Sequence, residues 1–271
     1  MALADDPYAK SLVARSFCMA ASGYDAVAAL QRSVGAALMS RRPAAKGMAR
    51  ILDIGAGTGF FSVALGFHYP GAQVIGVDIA EGMLHLARRR FSGYLVAGDA
   101  ESLPIASHSV DLIFSNLALQ WCNSLETALL EFNRVLRPGG HLLLSTFGPR
   151  TLRELREAWA SVDDYSHVNQ FESVSGIERT LRTAAFESVS AETELRGIVY
   201  PSVVDLMREL KGLGAHNLTK RRPRHLMGKG ALARMIAAYP VPAPHSVDGG
   251  RIEATYELIY GRAVRGGEGK G

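Results

Sequence analysis

Arg50-Ile-Leu-Asp-Ile-Gly-Ala-Gly-Thr-Gly59 joins an apolar run to three alternating glycines. Ile51, Leu52 and Ile54 read as a short buried parallel strand. Gly55, Gly57 and Gly59 carry no Cβ, so a ligand can come close to the backbone, and φ values closed to other residues are open there. Phe60-Phe-Ser-Val-Ala-Leu65 then opens a helix. Strand end, glycine turn and helix N-terminus meet, and a nucleotide-like ligand fits across such a turn.

The spacing narrows the ligand. A dinucleotide fingerprint is G-x-G-x-x-G, with the following helix aimed at a pyrophosphate. Here the glycines alternate as Gly55-x-Gly57-x-Gly59, preceded by Asp53. An acid in the strand end suits a cationic amino group and suits a phosphate poorly. The stretch resembles motif I of class I methyltransferases that use S-adenosylmethionine. That resemblance implies a glycine backbone lying close to the methionine and ribose moieties. It also implies that Asp53 supports the amino-acid end, directly or through water.

Downstream, strand and helix signals alternate. Ala72 to Asp78 reads as a strand whose final acid follows Gly59 by nineteen positions. Ala80 to Arg90 reads as a helix, Tyr94 to Gly98 as a strand before Asp99-Ala100, and Val110 to Ser115 as a strand before Asn116. Ser124 is a plausible N-cap for a helix through Val135, and His141 to Thr146 is a fifth strand. Such alternation predicts a doubly wound parallel sheet with its ligand beyond the carboxyl ends of the strands. By the resemblance, Asp78 takes the ribose hydroxyls and Asp99 the adenine amino group, while Ala100 offers the ring its N–H. Ile79 and Met83 wall the adenine slot, and Asn116 and Leu117 stand between cofactor and substrate.

The flanks extend this plan. Residues 8–40 carry helical signals, broken at Ser22-Gly23, and read as an N-terminal lid with Tyr24 near the sulfonium; Phe17 and Tyr24 also fit the buried face of an ordinary amphipathic helix. Arg41 to Gly47 reads as a basic linker. Near the C-terminus, 187–198 and 251–260 alternate as strands, separated by about fifty residues with helical signals at 202–211 and 230–239, where a hairpin would be ordinary. The expectation is one domain over 1–271. It has a Rossmann-like α/β fold, a seven-stranded class I methyltransferase sheet with helices on both faces. A helical cap is inserted at 199–248 between the last two strands, and a Gly-rich, disordered tail is expected over 263–271.

Composition excludes several classes. The 271 residues are 48% hydrophobic and 21% charged, and no apolar run approaches the roughly 18 residues of a membrane-spanning helix. Met1-Ala-Leu-Ala-Asp-Asp6 carries acids where a signal peptide needs basic residues, so a cytoplasmic location is expected. Cys18 and Cys122 have neither zinc nor disulfide-framework spacing. A net charge of +4 does not demand nucleic acid and suits an acidic protein partner. No metal cluster and no nucleophile–His–acid arrangement stands out.

Longer segments are more specific. Asn116-Leu-Ala-Leu-Gln-Trp-Cys122, Thr146-Phe-Gly-Pro-Arg-Thr-Leu-Arg-Glu-Leu155, Trp159 with Asp163, His167-Val-Asn-Gln-Phe171 and Leu210-Lys-Gly-Leu-Gly-Ala-His-Asn217 form one series. Together they resemble the malonyl-[acyl-carrier protein] O-methyltransferase family of biotin synthesis, over nearly the whole chain. The resemblance implies methyl transfer from S-adenosylmethionine to the free carboxylate of a malonyl thioester. A carboxylate is already ionised near neutrality, so no strong general base is expected. A cation that recognises the acid is expected instead, with Arg15, His167 and Lys211 as candidates. Arg15 lies one or two helical turns before Tyr24, which would let both face one pocket. Tyr24 and Trp121 are candidates to surround the sulfonium or acyl arm with their π faces. The basic run with Arg221, Arg222 and Arg224 is a candidate docking face for malonyl-acyl carrier protein. Rival readings are a methyltransferase of another small acid or small molecule, and a non-enzymatic S-adenosylmethionine-binding module. A nicotinamide dehydrogenase is disfavoured by the glycine spacing.

Overall fold

A computed structural model describes residues 10–44, 47–215, 228–240 and 251–267. Strands β1 (Arg50–Ile54), β2 (Gln73–Asp78), β3 (Tyr94–Ala97), β4 (Val110–Asn116) and β5 (Leu136–Phe147) pair in parallel. With β6 (Phe186–Tyr200) and β7 (Ile252–Arg265) they form one seven-stranded sheet in the order β3-β2-β1-β4-β5-β7-β6. β7 is antiparallel to both of its neighbours. The strand order reverses beside β1, so the topological switch point lies at the end of the strand that runs into Gly55. The doubly wound parallel part is as the alternation predicts, and the seven-stranded sheet with its antiparallel β7 is the class I methyltransferase sheet that the resemblance implies.

Period-two alternation sorts the strand side chains into two cores. Ile51, Leu112, Phe114 and Leu143 pack with Val34 and Leu38 of α2 (Ala29–Ser40) and Leu65 of α3 (Phe60–His68). Leu52, Ile54, Ile113, Leu142 and Leu144 pack on the opposite face with Leu129 and Phe132 of α5 (Leu125–Val135). Helices therefore cover both faces, because residues one apart on the same strand must be buried in opposite directions. The Ser124 hydroxyl accepts the Thr127 amide at 3.1 Å and caps α5.

α1 (Lys10–Val27) lies across α4 (Glu81–Ala87) and against α8 (Val203–Gly212). The expected break at Ser22-Gly23 is absent: α1 runs through both residues and stops at Val27. A glycine inside a helix costs about 1 kcal/mol relative to alanine. Anchors on both flanks of α1 outweigh that cost. The Gly82 amide donates to Cys18 Sγ at 3.2 Å, and the Ser16 hydroxyl donates to the Gly214 carbonyl at 3.0 Å. A Cβ on Gly82 would stand 3.0 Å from the Cys18 Cα, so this crossing of α1 and α4 depends on glycine.

Other boundaries also move. β6 continues through Tyr200, so the connection to β7 begins after it and not at 199; its described part holds α8 and α9 (Lys229–Ala238). The tail expected from 263 is corrected as well, since Ala263 and Val264 pair with β5 and Arg265 pairs with Phe186. Pairing with β5 on one side and β6 on the other holds β7 in place through Arg265. Among the described residues no helix is long and apolar enough to cross a membrane.

Candidate active site

A cavity opens over the tips of β1 to β4. Its floor is the glycine turn. Gly55 takes φ +71°, and a Cβ there would fall 2.4 Å from the Ala118 Cβ, which closes the position to any other residue. The Gly57 amide donates to Asp78 Oδ2 at 2.8 Å, and the Ala80 amide donates to Asp78 Oδ1 at 2.8 Å. Burial pushes the Asp78 carboxyl upward, and these amides partly offset it. Ile79 and Met83 line the same wall.

Asp99 and Ala100 form the far end of the cavity, beside Lys10 at the start of α1. Lys10 Nζ donates to Asp99 Oδ1 at 3.0 Å and also contacts Glu101. Burial pulls the Lys10 ammonium down, but the bonds to Glu101 and Asp99 outweigh it and its pKa is raised. Cys122 borders this end with a thiol pushed up to about 12 by burial, so it is neutral. Asn116 and Leu117 form the opposite wall. The Asn116 amide donates to the Gln31 carbonyl at 3.0 Å and accepts from the Ser145 hydroxyl at 2.8 Å, tying α2 to the tip of β4. Leu117 takes φ +50°, a strained value for a branched residue, and its amide is held by the Ser145 carbonyl at 3.0 Å.

A second cavity lies alongside. Phe17, Tyr24, Leu117 and Trp121 line both. The Phe17 and Trp121 rings meet edge to face at 5.3 Å. Burial raises the Tyr24 hydroxyl well above its ordinary value, with Asp78 and Asp25 adding to the effect, so it stays protonated across the neutral range. Among the described residues lining the second cavity there is no lysine or arginine; its one acid is Glu209 of α8.

The structure thus gathers Gly55, Gly57, Asp78, Ile79, Met83, Asp99, Ala100, Asn116 and Leu117 around one cavity, with Tyr24 and Trp121 at the shared wall. Five other expected site residues are placed elsewhere. Asp53 shares the strand face of Ile51, which points at α3. It is buried, accepts the Ser62 hydroxyl at 2.6 Å, and does not line the cavity. Burial pushes its carboxyl up to about 7; the Ser62 bond opposes this, and the nearby Asp78 adds to it. Gly59 caps α3 at φ +81° and faces Ala87.

None of the three cation candidates lines either cavity. Arg15 is exposed and lines neither cavity. At about 100° per residue, the nine positions between Arg15 and Tyr24 amount to half a turn, which puts them on opposite sides of α1. His167 stacks on Trp159 at 3.9 Å, and its Nε2 lies 2.8 Å from Asp163 Oδ1. Lys211 is exposed in the last turn of α8, where a cation complements the helix dipole. The basic residues Arg221, Arg222 and Arg224 lie outside the described residues. Sequence reasoning passed over Lys10, Gln31, Gln120 and Asn169, all of which line a cavity. Gln120 was legible as part of the specific Leu-Gln-Trp-Cys segment, whereas Lys10 joins the site only through the packing of α1.

A family model described as a methyltransferase domain matches residues 52–144. The malonyl-[acyl-carrier protein] O-methyltransferase of Methylococcus capsulatus is 52% identical over 243 residues, 87% of each chain. The biotin biosynthesis bifunctional protein BioHC of Cellvibrio japonicus is 43% identical over 253 residues, 93% of this chain and 49% of that one. Among solved structures, the YcgJ protein of Bacillus subtilis overlays with a TM-score of 0.61 at 20% identity, covering 87% of this chain and 98% of that one. The last likeness bears on the fold alone.

Proposed function

This chain belongs to the malonyl-[acyl-carrier protein] O-methyltransferase family, and from that premise we propose how its two cavities divide the work. The enzyme methylates the free carboxylate of a malonyl thioester, in the service of biotin synthesis. Its first cavity takes S-adenosylmethionine, and its second takes the malonyl group. One observation carries this reading: four side chains, Phe17, Tyr24, Leu117 and Trp121, belong to both walls. Groups bound in the two cavities therefore meet along the boundary these side chains line.

The residues present suit the cofactor. Gly55 and Gly57 line the cavity without side chains of their own, and Asp78 and Asp99 offer carboxylate acceptors at hydroxyl and amino groups. When bound, S-adenosylmethionine supplies a methyl carbon made electrophilic by a sulfonium. Tyr24 and Trp121 present aromatic faces, which favour a cation. Gly55, Gly57, Asp78, Ile79, Met83, Asp99, Ala100, Asn116 and Leu117 hold and orient the ligand, and α1 excludes water from above. Asp53 acts at one remove, by fixing α3 beneath the turn.

The malonyl carboxylate needs no deprotonation, so the chain's contribution is placement, an entropic advantage that reaches several kcal/mol when nucleophile and electrophile are aligned. A bidentate arginine would draw electron density from the attacking oxygen. A second cavity whose described lining has neither arginine nor lysine leaves that oxygen reactive, and the protonated Tyr24 hydroxyl is a neutral donor beside it. The partner is malonyl-acyl carrier protein. Arg221, Arg222 and Arg224 are our candidates for steering it, read by a fall in association rate with salt that charge reversal at Arg221 and Arg222 abolishes.

The test is incubation with S-adenosylmethionine and malonyl-carrier protein, malonyl-coenzyme A, free malonate or other small acids, with products read by mass. The reading expects the methyl ester of the malonyl thioester in preference to any free acid. Methylation of a free acid alone would refute it.

A further inference from the structure

Three buried side-chain oxygens on the lining of the second cavity have no hydrogen-bond partner: Gln31 Oε1, Gln120 Oε1 and Asn169 Oδ1. Buried acceptors left unpaired are uncommon in folded proteins and costly, so three around one cavity mark a place where a ligand completes the bonding. The orientation of Gln120 is fixed. Its Nε2 donates to the Leu117 carbonyl at 2.6 Å, and a carbonyl can only accept, so Oε1 is the atom left for a ligand.

An acceptor requires a donor, and this decides which part of the substrate lies there. The malonyl carboxylate and the thioester carbonyl carry no N–H or O–H at neutral pH. Resting on the reading of the reaction given above, the donors of an acyl thioester are the secondary amides of the pantetheine-type linker that carries it. We propose that the second cavity holds this linker together with the malonyl group it carries, with an amide N–H donating to Gln120 Oε1 and with Asn169 as a second acceptor. Gln120 is then a specificity residue that distinguishes linker-borne malonyl groups from free acids. This gives a role to Gln120, the member of the Leu-Gln-Trp-Cys segment that lines the second cavity and not the first.

The test compares two malonyl thioesters bound to protein saturated with S-adenosylhomocysteine, using calorimetry so that the result does not depend on turnover. One is malonyl N-acetylcysteamine, which has an amide N–H; the other is a malonyl S-alkyl thioester of matched length, which has none. Wild-type protein is expected to bind the amide-bearing compound about tenfold more tightly, the scale of one buried hydrogen bond. Gln120→Met is expected to abolish that ratio while S-adenosylhomocysteine affinity is retained. Asn169→Leu provides a second variant should the loss of the Leu117 contact unfold Gln120→Met; it is read with malonyl pantetheine, which carries the second amide N–H, and is expected to reduce that compound's advantage over the alkyl thioester. Equal binding of the two thioesters by wild-type protein, or a ratio unchanged in both variants, would overturn the proposal. A preserved ratio that Gln120 controls, without methyl ester on turnover, would support the linker site and count against the reaction instead.

Discussion

The Thr58 hydroxyl donates to Asp25 Oδ1 at 2.7 Å, tying the glycine turn to the C-terminal part of α1. Asp25 also pairs with Arg90, just beyond α4. Burial raises the Asp25 carboxyl, but Thr58 and Arg90 outweigh it, and its pKa is lowered. This latch closes α1 over the cofactor cavity. Asp25→Ala is expected to weaken S-adenosylhomocysteine binding about fivefold to tenfold, on the scale of one charge-assisted hydrogen bond, with little change in melting temperature. Titration calorimetry beside thermal melting separates the two effects.

Two glycines should respond in opposite ways to alanine. Gly55→Ala places a methyl group against Ala118 at positive φ, and is expected to reduce cofactor affinity by at least tenfold and to cost about 1–3 kcal/mol of stability. Gly23 lies inside α1 with nothing within 4 Å of an added Cβ. Gly23→Ala is therefore expected to stabilise by up to about 1 kcal/mol. Urea denaturation measures both.

Asp53 sets a pH dependence. Its folded carboxyl, pushed to about 7, lies above the ordinary carboxylate value, so the folded state holds a proton that the unfolded chain has released. This contribution to stability is complete below the unfolded value and is lost as pH rises through about 7. Stability should fall between about pH 4 and about pH 7, by at most about 4 kcal/mol from this group. Asp53→Asn should flatten that slope, as seen by urea midpoints across the range.

The displaced cations give a further contrast. Arg15→Ala is expected to leave S-adenosylhomocysteine affinity within about twofold, as for other surface substitutions. His167→Ala removes a ring stacked on Trp159 and a bond to Asp163, and is expected to cost about 1–2 kcal/mol of stability. Its KM for a small malonyl thioester should be little changed. A large rise in KM in either variant would return that residue to the substrate site.

What was legible depended on distance along the chain. The glycine turn, Asp78, Asp99 and Asn116 sit at strand ends, and a parallel sheet brings successive strand ends together, so spacing alone located the cavity. The side to which a residue points was harder. Asp53 is one position from Ile54, which lines the cavity, yet alternation turns it toward Ser62. Arg15 and Tyr24 share a helix, but half a turn separates their faces. Gln31, Gln120 and Asn169 converge from three remote segments, and side-chain amides are too common to draw notice until their unpaired oxygens are seen together. Tertiary anchoring also kept α1 intact through Gly23, against its local propensity.

The central claim is that the donor lies over the tips of β1 to β4, in the cavity that adjoins the malonyl site. A crystal structure with S-adenosylhomocysteine tests it most directly. The account predicts adenine beside Asp99 and Ala100, ribose at Asp78, and sulfur toward Tyr24 and Trp121. Electron density for the ligand elsewhere, or a glycine-turn cavity left empty at saturating ligand, would contradict it.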